Sequence, residues 1–185
     1  MKSNLPAGIE GNGIEIYRNE KFEVFFLQNG VKRPFSELSN DIRDLLREEL
    51  ENDKQAKASL FNLLGTADDE LLLEMFAGCR YGNLDYTPDV MSGRLNKEVP
   101  SCQLVKTCSS FGKLCLLPET KEGTLTRIEY FTAVCIARGL QAKEIADVQC
   151  KSEATVRTHT QRIHAKIGVN NNLEVASWAH KVKLV

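Results

Sequence analysis

The sequence predicts an α+β chain: an N-terminal hairpin plus helices, followed by an all-α module of four helices. Three observations carry this. Two short strand-like runs, "IEIYR" and "FEVFFL", are joined by the turn "NEK" near the N-terminus. Apolar residues then recur at helical spacing from Asp41 to Ala77. From Leu125 onward, four helical segments are punctuated by Gly139, "QCK" and Gly168.

The elements follow in chain order. After the hairpin, "QNG" marks a second turn before Val31. "NDIRDLLREELEN" places Ile42, Leu45, Leu46 and Leu50 on one buried face. Two shorter helices are expected around Gln55–Leu64 and Asp68–Ala77, the second opened by Asp68, Asp69 and Glu70, which favour a helix N-terminus. Residues 78–117 have little periodicity and contain Cys79, Cys102, Cys108 and Cys115. Such a stretch needs something besides a hydrophobic core to order it. Four thiolates can do so around one structural zinc, although neither pair has the short chelating C-x2-4-C turn. Buried thiols, redox sensing and an iron–sulfur cluster are the other readings of this group. "PETKEGT" has the composition of a linker. The expected division is therefore 1–117 as an acidic α+β regulatory or partner domain, 118–124 as linker, and 125–185 as the helical module.

In that module, Ile128, Phe131, Thr132 and Cys135 define a first helix ended by Gly139. A short second helix over Ala142–Val148 should bury Ile145 and Val148. Ser152 is a good N-cap for a third helix, with Glu153 favourable against the dipole. Gly168 closes it and Val169 supplies the accompanying apolar contact. Asn171 with Glu174 opens a fourth helix, whose Leu173 and Ala176 are expected to pack inward. Val175, Trp178 and Val182 then form a second apolar stripe suited to a dimer or interdomain contact.

Charge is divided unevenly. Residues 124–185 hold nine Lys/Arg against five Asp/Glu, while residues 1–123 hold fifteen against twenty, so a net −1 conceals +4 and −5. A basic module on an acidic body suits a polyanion on one side and a separate partner on the other. The third helix sharpens this. At about 100° per residue, Val156, Thr160, Ile163 and Ile167 share the core face. Thr158, Gln161, Arg162 and the small Ala154 and Ala165 lie opposite, and no Asp or Glu occurs between Ala154 and Asn172. A solvated face usually mixes charge signs. A short helix, a tight turn and a longer helix with a basic outer face form a helix-turn-helix arrangement, whose second helix enters the DNA major groove.

The stretch Leu125–Ala179 resembles the LuxR-type (GerE-like) helix-turn-helix domain. Its landmarks are Leu125-Thr126, Glu129, Gly139-Leu140, Lys143-Glu144-Ile145-Ala146, Ser152, Thr155-Val156-Arg157 and Lys166-Ile167-Gly168-Val169. The resemblance implies a bacterial transcription regulator that binds double-stranded DNA as a homodimer, with the fourth helix in the dimer contact. It puts Arg157, Thr158 and Gln161 nearest the base edges and makes Lys143, Ser152, Thr155, Arg162 and Lys166 phosphate contacts. Arg can read guanine and Gln adenine through paired hydrogen bonds, whereas Lys mainly positions the protein. The chain departs from the family pattern at Arg127, where Pro is usual, at Thr132 in place of an aliphatic residue, at Gln141 in place of a Ser, Thr or Asn cap, and at Asn172 in place of Arg.

The N-terminal region resembles no named family. A receiver domain would need buried parallel strands ending in paired acids, and an acyl-homoserine-lactone domain would be longer and richer in aromatics. All three histidines (His159, His164 and His180) fall in the helical module, and no Gly-rich phosphate loop or nucleophile elbow is present. The chain is accordingly expected to be no enzyme, cytoplasmic and without a membrane span. Two alternatives stay open: an RNA polymerase partner similar to region 4 of sigma factors, and a metal or redox sensor using the cysteines.

Overall fold

The structure is a computed structural model that describes residues 5–99 and 101–185. Met1–Asn4 and Pro100, both within the expected 1–117 domain, lie outside the described residues. The chain divides into two compact units. Of the described residues, the first comprises 5–99 together with Lys113–Leu116, and the second comprises Ser101–Gly112 with Leu117–Val185. This differs from the boundary expected at 117/118, because Ser101–Gly112 packs with the helical module.

The first unit is built on an antiparallel sheet. Strands β1 (Ile14–Arg18), β2 (Val24–Gln28) and β3 (Val31–Pro34) are joined by β4 (Val90–Met91) and β5 (Arg94–Leu95) in the order β3-β2-β1-β4-β5. Ile14 pairs with Gln28 and Arg18 with Val24, so Ile14, Ile16, Val24 and Phe26 fall in the buried core. Asn29 and Gly30 both take positive φ, 51° and 74°, as a tight turn of the hand that suits a twisted hairpin requires. Three helices supply the rest of that core: α1 (Asn40–Asn52), α2 (Lys54–Leu64) and α3 (Asp69–Arg80). Leu46 and Leu50 of α1 are buried, with Ile42 partly so. Asp68 caps α3 by accepting from the N–H groups of Glu70 and Leu71 at 3.0 and 3.1 Å.

Buried carboxylates hold the aperiodic stretch that follows α3. Glu15 accepts from the Asp85 N–H at 2.6 Å, Asp89 from the Ile16 N–H at 2.6 Å, and Glu98 from the Asn83 N–H at 2.9 Å. Hydrogen-bonded carboxyl groups thus tie a region of little periodicity to β1 and to itself. Burial, with the charges of Glu15 and Glu98, pushes the Asp89 carboxyl up to about 10.

The second unit contains four helices: α4 (Arg127–Ala137), α5 (Ala142–Gln149), α6 (Glu153–Ile167) and α7 (Asn172–Lys181). Ahead of them lie residues 118–124, expected as a linker. They form a small hairpin of β6 (Glu119–Thr120) and β7 (Gly123–Thr124) that docks on α6, where the Glu122 N–H donates to the Lys166 carbonyl at 3.2 Å. The core is made by Leu125, Ala133, Ile145, Val156, Ile163, Val175 and Ala179, among others. The fourth helix turns differently from expectation. Val175 is fully buried, while Leu173 is 82% exposed and Ala176 partly buried. Val175 is therefore a core residue that packs within its own unit, and α7 lies chiefly against α4.

Candidate nucleic-acid interface

Local sequence sets the geometry of the helix pair. Gln141 begins α5 with a reciprocal arrangement: its backbone N–H donates to the Glu144 carboxylate at 2.7 Å. This replaces part of what a Ser or Thr cap supplies. Cys150 ends α5 in the left-handed region, at φ 52° and ψ 47°. Three residues, Cys150, Lys151 and Ser152, separate α5 from α6. Ser152 Oγ accepts from the Thr155 N–H at 3.2 Å and lies 2.9 Å from Thr155 Oγ1. Gly168, at φ 72°, closes α6, and the N–H groups of Gly168 and Val169 donate to the His164 carbonyl. This is the expected glycine-capped stop.

Helical phase separates the two faces as expected. Val156 and Ile163 are fully buried and Ile167 nearly so. Thr160 is partly buried and donates to the Val156 carbonyl at 3.0 Å. Ala154, Arg157, Thr158, Gln161, Arg162 and Ala165 are all exposed. Arg157 forms an exposed i,i+4 ion pair with Glu153 at 3.4 Å, a contact of little strength in water. Thr158 donates to the Ala154 carbonyl at 3.1 Å. Gln161, Arg162 and Lys143 make no hydrogen bond or ion pair among the described residues and project from exposed positions. The face is therefore an open row of donors with a single exposed acid at its start.

Lys166 behaves differently from the other basic residues. Its ammonium donates to the buried Glu129 carboxylate at 2.7 Å and to the Thr124 carbonyl at 3.0 Å. Burial works against the Glu129 charge, but Lys166 and the Thr126 amide and hydroxyl outweigh it and hold the carboxyl below its ordinary value. Glu129 also completes a capping box with Thr126, whose backbone N–H donates to it at 2.8 Å. Lys166 thus joins the end of α6 to the start of α4.

The departures at Arg127 and Thr132 have structural partners. Arg127 donates to the carbonyls of Lys106 at 3.3 Å and Cys108 at 2.5 Å, and stacks over the Phe111 ring at 5.3 Å. Phe111 in turn meets Tyr130 edge-on, with ring centroids 5.3 Å apart. A proline there would fasten nothing. Arg127 instead holds Ser101–Gly112 against α4. The fully buried Thr132 donates to the Ile128 carbonyl at 2.7 Å and accepts from Gln149 Nε2 at 2.8 Å. Sequence reasoning missed both, since partners that are backbone carbonyls or a distant amide leave no local pattern.

The four cysteines proposed for zinc are divided between the two units. Cys79 lies on α3, where its sulfur accepts from Arg18 at 3.7 Å. Cys115 belongs to the same first unit, while Cys102 and Cys108 flank a 3-10 turn, Gln103–Lys106, in the second. Among the described residues no group of three or more His, Cys, Asp or Glu side chains is placed to hold a metal ion. The carboxylate hydrogen bonds described above order residues 83–98 of the region that zinc was invoked to order. Cys135 is buried in α4, as expected for a core thiol, and burial pushes it up. Among the described residues no helix is long and apolar enough to cross a membrane.

No curated protein and no solved structure matches the chain. Residues 124–179 match the family model described as bacterial regulatory proteins, luxR family (GerE). Capped, turned and faced in this way, the C-terminal part of the chain is a LuxR-family helix-turn-helix domain.

Proposed function

We propose that the protein is a transcription regulator that binds duplex DNA sequence-specifically, with α6 as the groove-reading helix. The observation that carries this is the exposed outer face of α6. Arg157, Thr158 and Gln161 point away from the core on a helix of the matched domain, and small alanines beside them permit close approach. These three read base edges. Lys143 and Arg162 reach phosphates, and Ser152 and Thr155 bring the N-terminal amides of α6, with their favourable dipole, to the backbone. The exposed Arg157–Glu153 pair gives way to base contact at small cost. Lys166, paired with Glu129, serves to place α6 rather than to bind phosphate.

The protein binds as a homodimer through the outer side of α7, where Leu173 is exposed and Trp178 and Val182 are half-exposed. The first unit receives the signal or partner, an assignment its acidic charge supports. The test is affinity for duplexes selected from a random pool, without RNA polymerase, at two salt concentrations. Arg157→Ala should cost about 1–3 kcal/mol on selected duplex and little on random duplex. Lys143→Ala should weaken both alike and reduce the salt slope by about 1. Equal losses on selected and random DNA would sink the base-reading role. Binding that requires RNA polymerase would favour the sigma-like alternative.

A further inference from the structure

Within the second unit, a cleft of about 460 Å³ lies between α4, the end of α5 and the 3-10 turn Gln103–Lys106. Its apolar wall consists of Ile128 and Phe131 from α4 and Val148 from α5. Val148 sits where the helical period expects a core residue, yet it is 44% exposed because the cleft is left open in front of it. Lys106 and Arg127 stand at the rim. The Lys106 ammonium lies 4.3 Å from the centre of the Phe131 ring and 3.3 Å from the Val148 carbonyl. Arg127 reaches only carbonyls and the Phe111 ring. Among the described residues neither cation has a carboxylate within 4.0 Å. The cleft therefore combines an apolar wall with two positive charges that no acid neutralises, in a volume typical of small-molecule sites.

We propose that this cleft binds a small amphipathic carboxylate, with its hydrocarbon body on Ile128, Phe131 and Val148 and its carboxylate on Lys106. Charge complementarity selects an anion, since an uncharged apolar body would leave the two cations facing it uncompensated. The apolar wall selects an amphipathic anion over inorganic phosphate or a nucleic-acid backbone, which offer little hydrocarbon to bury. Lys106 is the main anchor because its ammonium is exposed and its one hydrogen bond is long. Arg127 contributes field, since its donors already hold the Ser101–Gly112 segment. None of the residues lining the cleft is among those assigned to DNA above.

The experiment titrates the full chain with decanoate, decan-1-ol and acetate while following amide resonances by two-dimensional NMR. Decanoate should shift the amides of Phe131, Val148 and Gln149, decan-1-ol should bind at least several-fold more weakly, and acetate should not bind. Lys106→Gln should weaken decanoate roughly tenfold or more, the loss of one charge-assisted hydrogen bond. Val148→Asp should abolish binding. Both positions are exposed, so the variants should retain the dispersed spectrum of the folded chain. Decan-1-ol binding as tightly as decanoate, or decanoate shifting no resonance at these residues, overturns the proposal. It is also overturned if Lys106→Gln leaves decanoate affinity intact and instead weakens duplex binding, which would assign the cation to the DNA backbone.

Discussion

The Lys166 ammonium lies 2.7 Å from the Glu129 carboxylate and fastens the last turn of α6 to the capped first turn of α4. This pair makes Lys166 a determinant of where the helix points. Lys166→Met should lower stability by about 1.5–3 kcal/mol, the range for hydrogen bonds to charged groups, while leaving the salt slope of DNA binding unchanged. Denaturant unfolding and salt titration separate the two. The pH dependence has a definite sign. Glu129 is held below its ordinary 4.5, so its contribution is present above that value and lost as pH falls through the folded value. The gap between wild type and Lys166→Met should accordingly shrink on acidification below about 4.5.

Thr132 and Gln149 form a buried polar pair where an aliphatic contact is usual in the family. The Thr132 hydroxyl proton goes to the Ile128 carbonyl, so the Gln149 amide must present its N–H, leaving its oxygen buried without a partner among the described residues. Thr132→Val alone should cost about 1–3 kcal/mol by orphaning the amide. Adding Gln149→Met should recover most of that, because replacing both partners by apolar groups is nearly neutral. A double-mutant cycle in urea measures the coupling, and additive losses would contradict the pairing.

Asp89 makes the first unit's stability fall as pH rises. Its folded value of about 10 lies above the ordinary 3.8, so its contribution is complete below the unfolded value and declines as pH rises through the folded one. Asp89→Asn keeps an acceptor for the Ile16 N–H and removes the titration. The variant should gain on wild type as pH rises from 5 to 9, by up to about 1.4 kcal/mol per pH unit. Urea midpoints at the two pH values check this. A constant difference across the range would refute it.

Leu173 is the apolar side chain that α7 leaves most open, at 82% exposure. Leu173→Glu should weaken self-association in sedimentation equilibrium without lowering the melting temperature. Val175→Ala, at a fully buried position, should do the reverse and cost about 0.5–2 kcal/mol of stability. Association that ignores Leu173 would place the dimer contact elsewhere.

Much of the second unit was legible because its signals are local. Ser152, Gly168 and Asn171 with Glu174 are all capping devices read within four residues. Helical phase then separated Val156 and Ile163 from Arg157 and Gln161. Phase failed on α7, which carries apolar residues on two faces; only packing on α4 decides that Val175 goes in and Leu173 stays out. It failed on Val148 because burial needs an element opposite as well as a period. The β6–β7 hairpin was missed because two-residue strands carry no alternation. In the first unit, α1 and α3 were legible from period and from the Asp68 cap. The tethers Glu15, Asp89 and Glu98 were not, since a buried acid and a solvated one look alike until the backbone N–H it accepts is in place.

The Arg127 clasp on Ser101–Gly112 bears on how the domain is excised. A fragment starting at Thr124, the first residue of the family match, would strip Phe111 from the Tyr130 ring and leave Arg127 without its carbonyl acceptors. A fragment starting at Ser101 keeps that covering, at the expense of Leu114, which the first unit buries. The compact second unit therefore extends further on its N-terminal side than the family match. Proteolysis or truncation guided by the family boundary alone would yield a less stable head than the one the full chain carries.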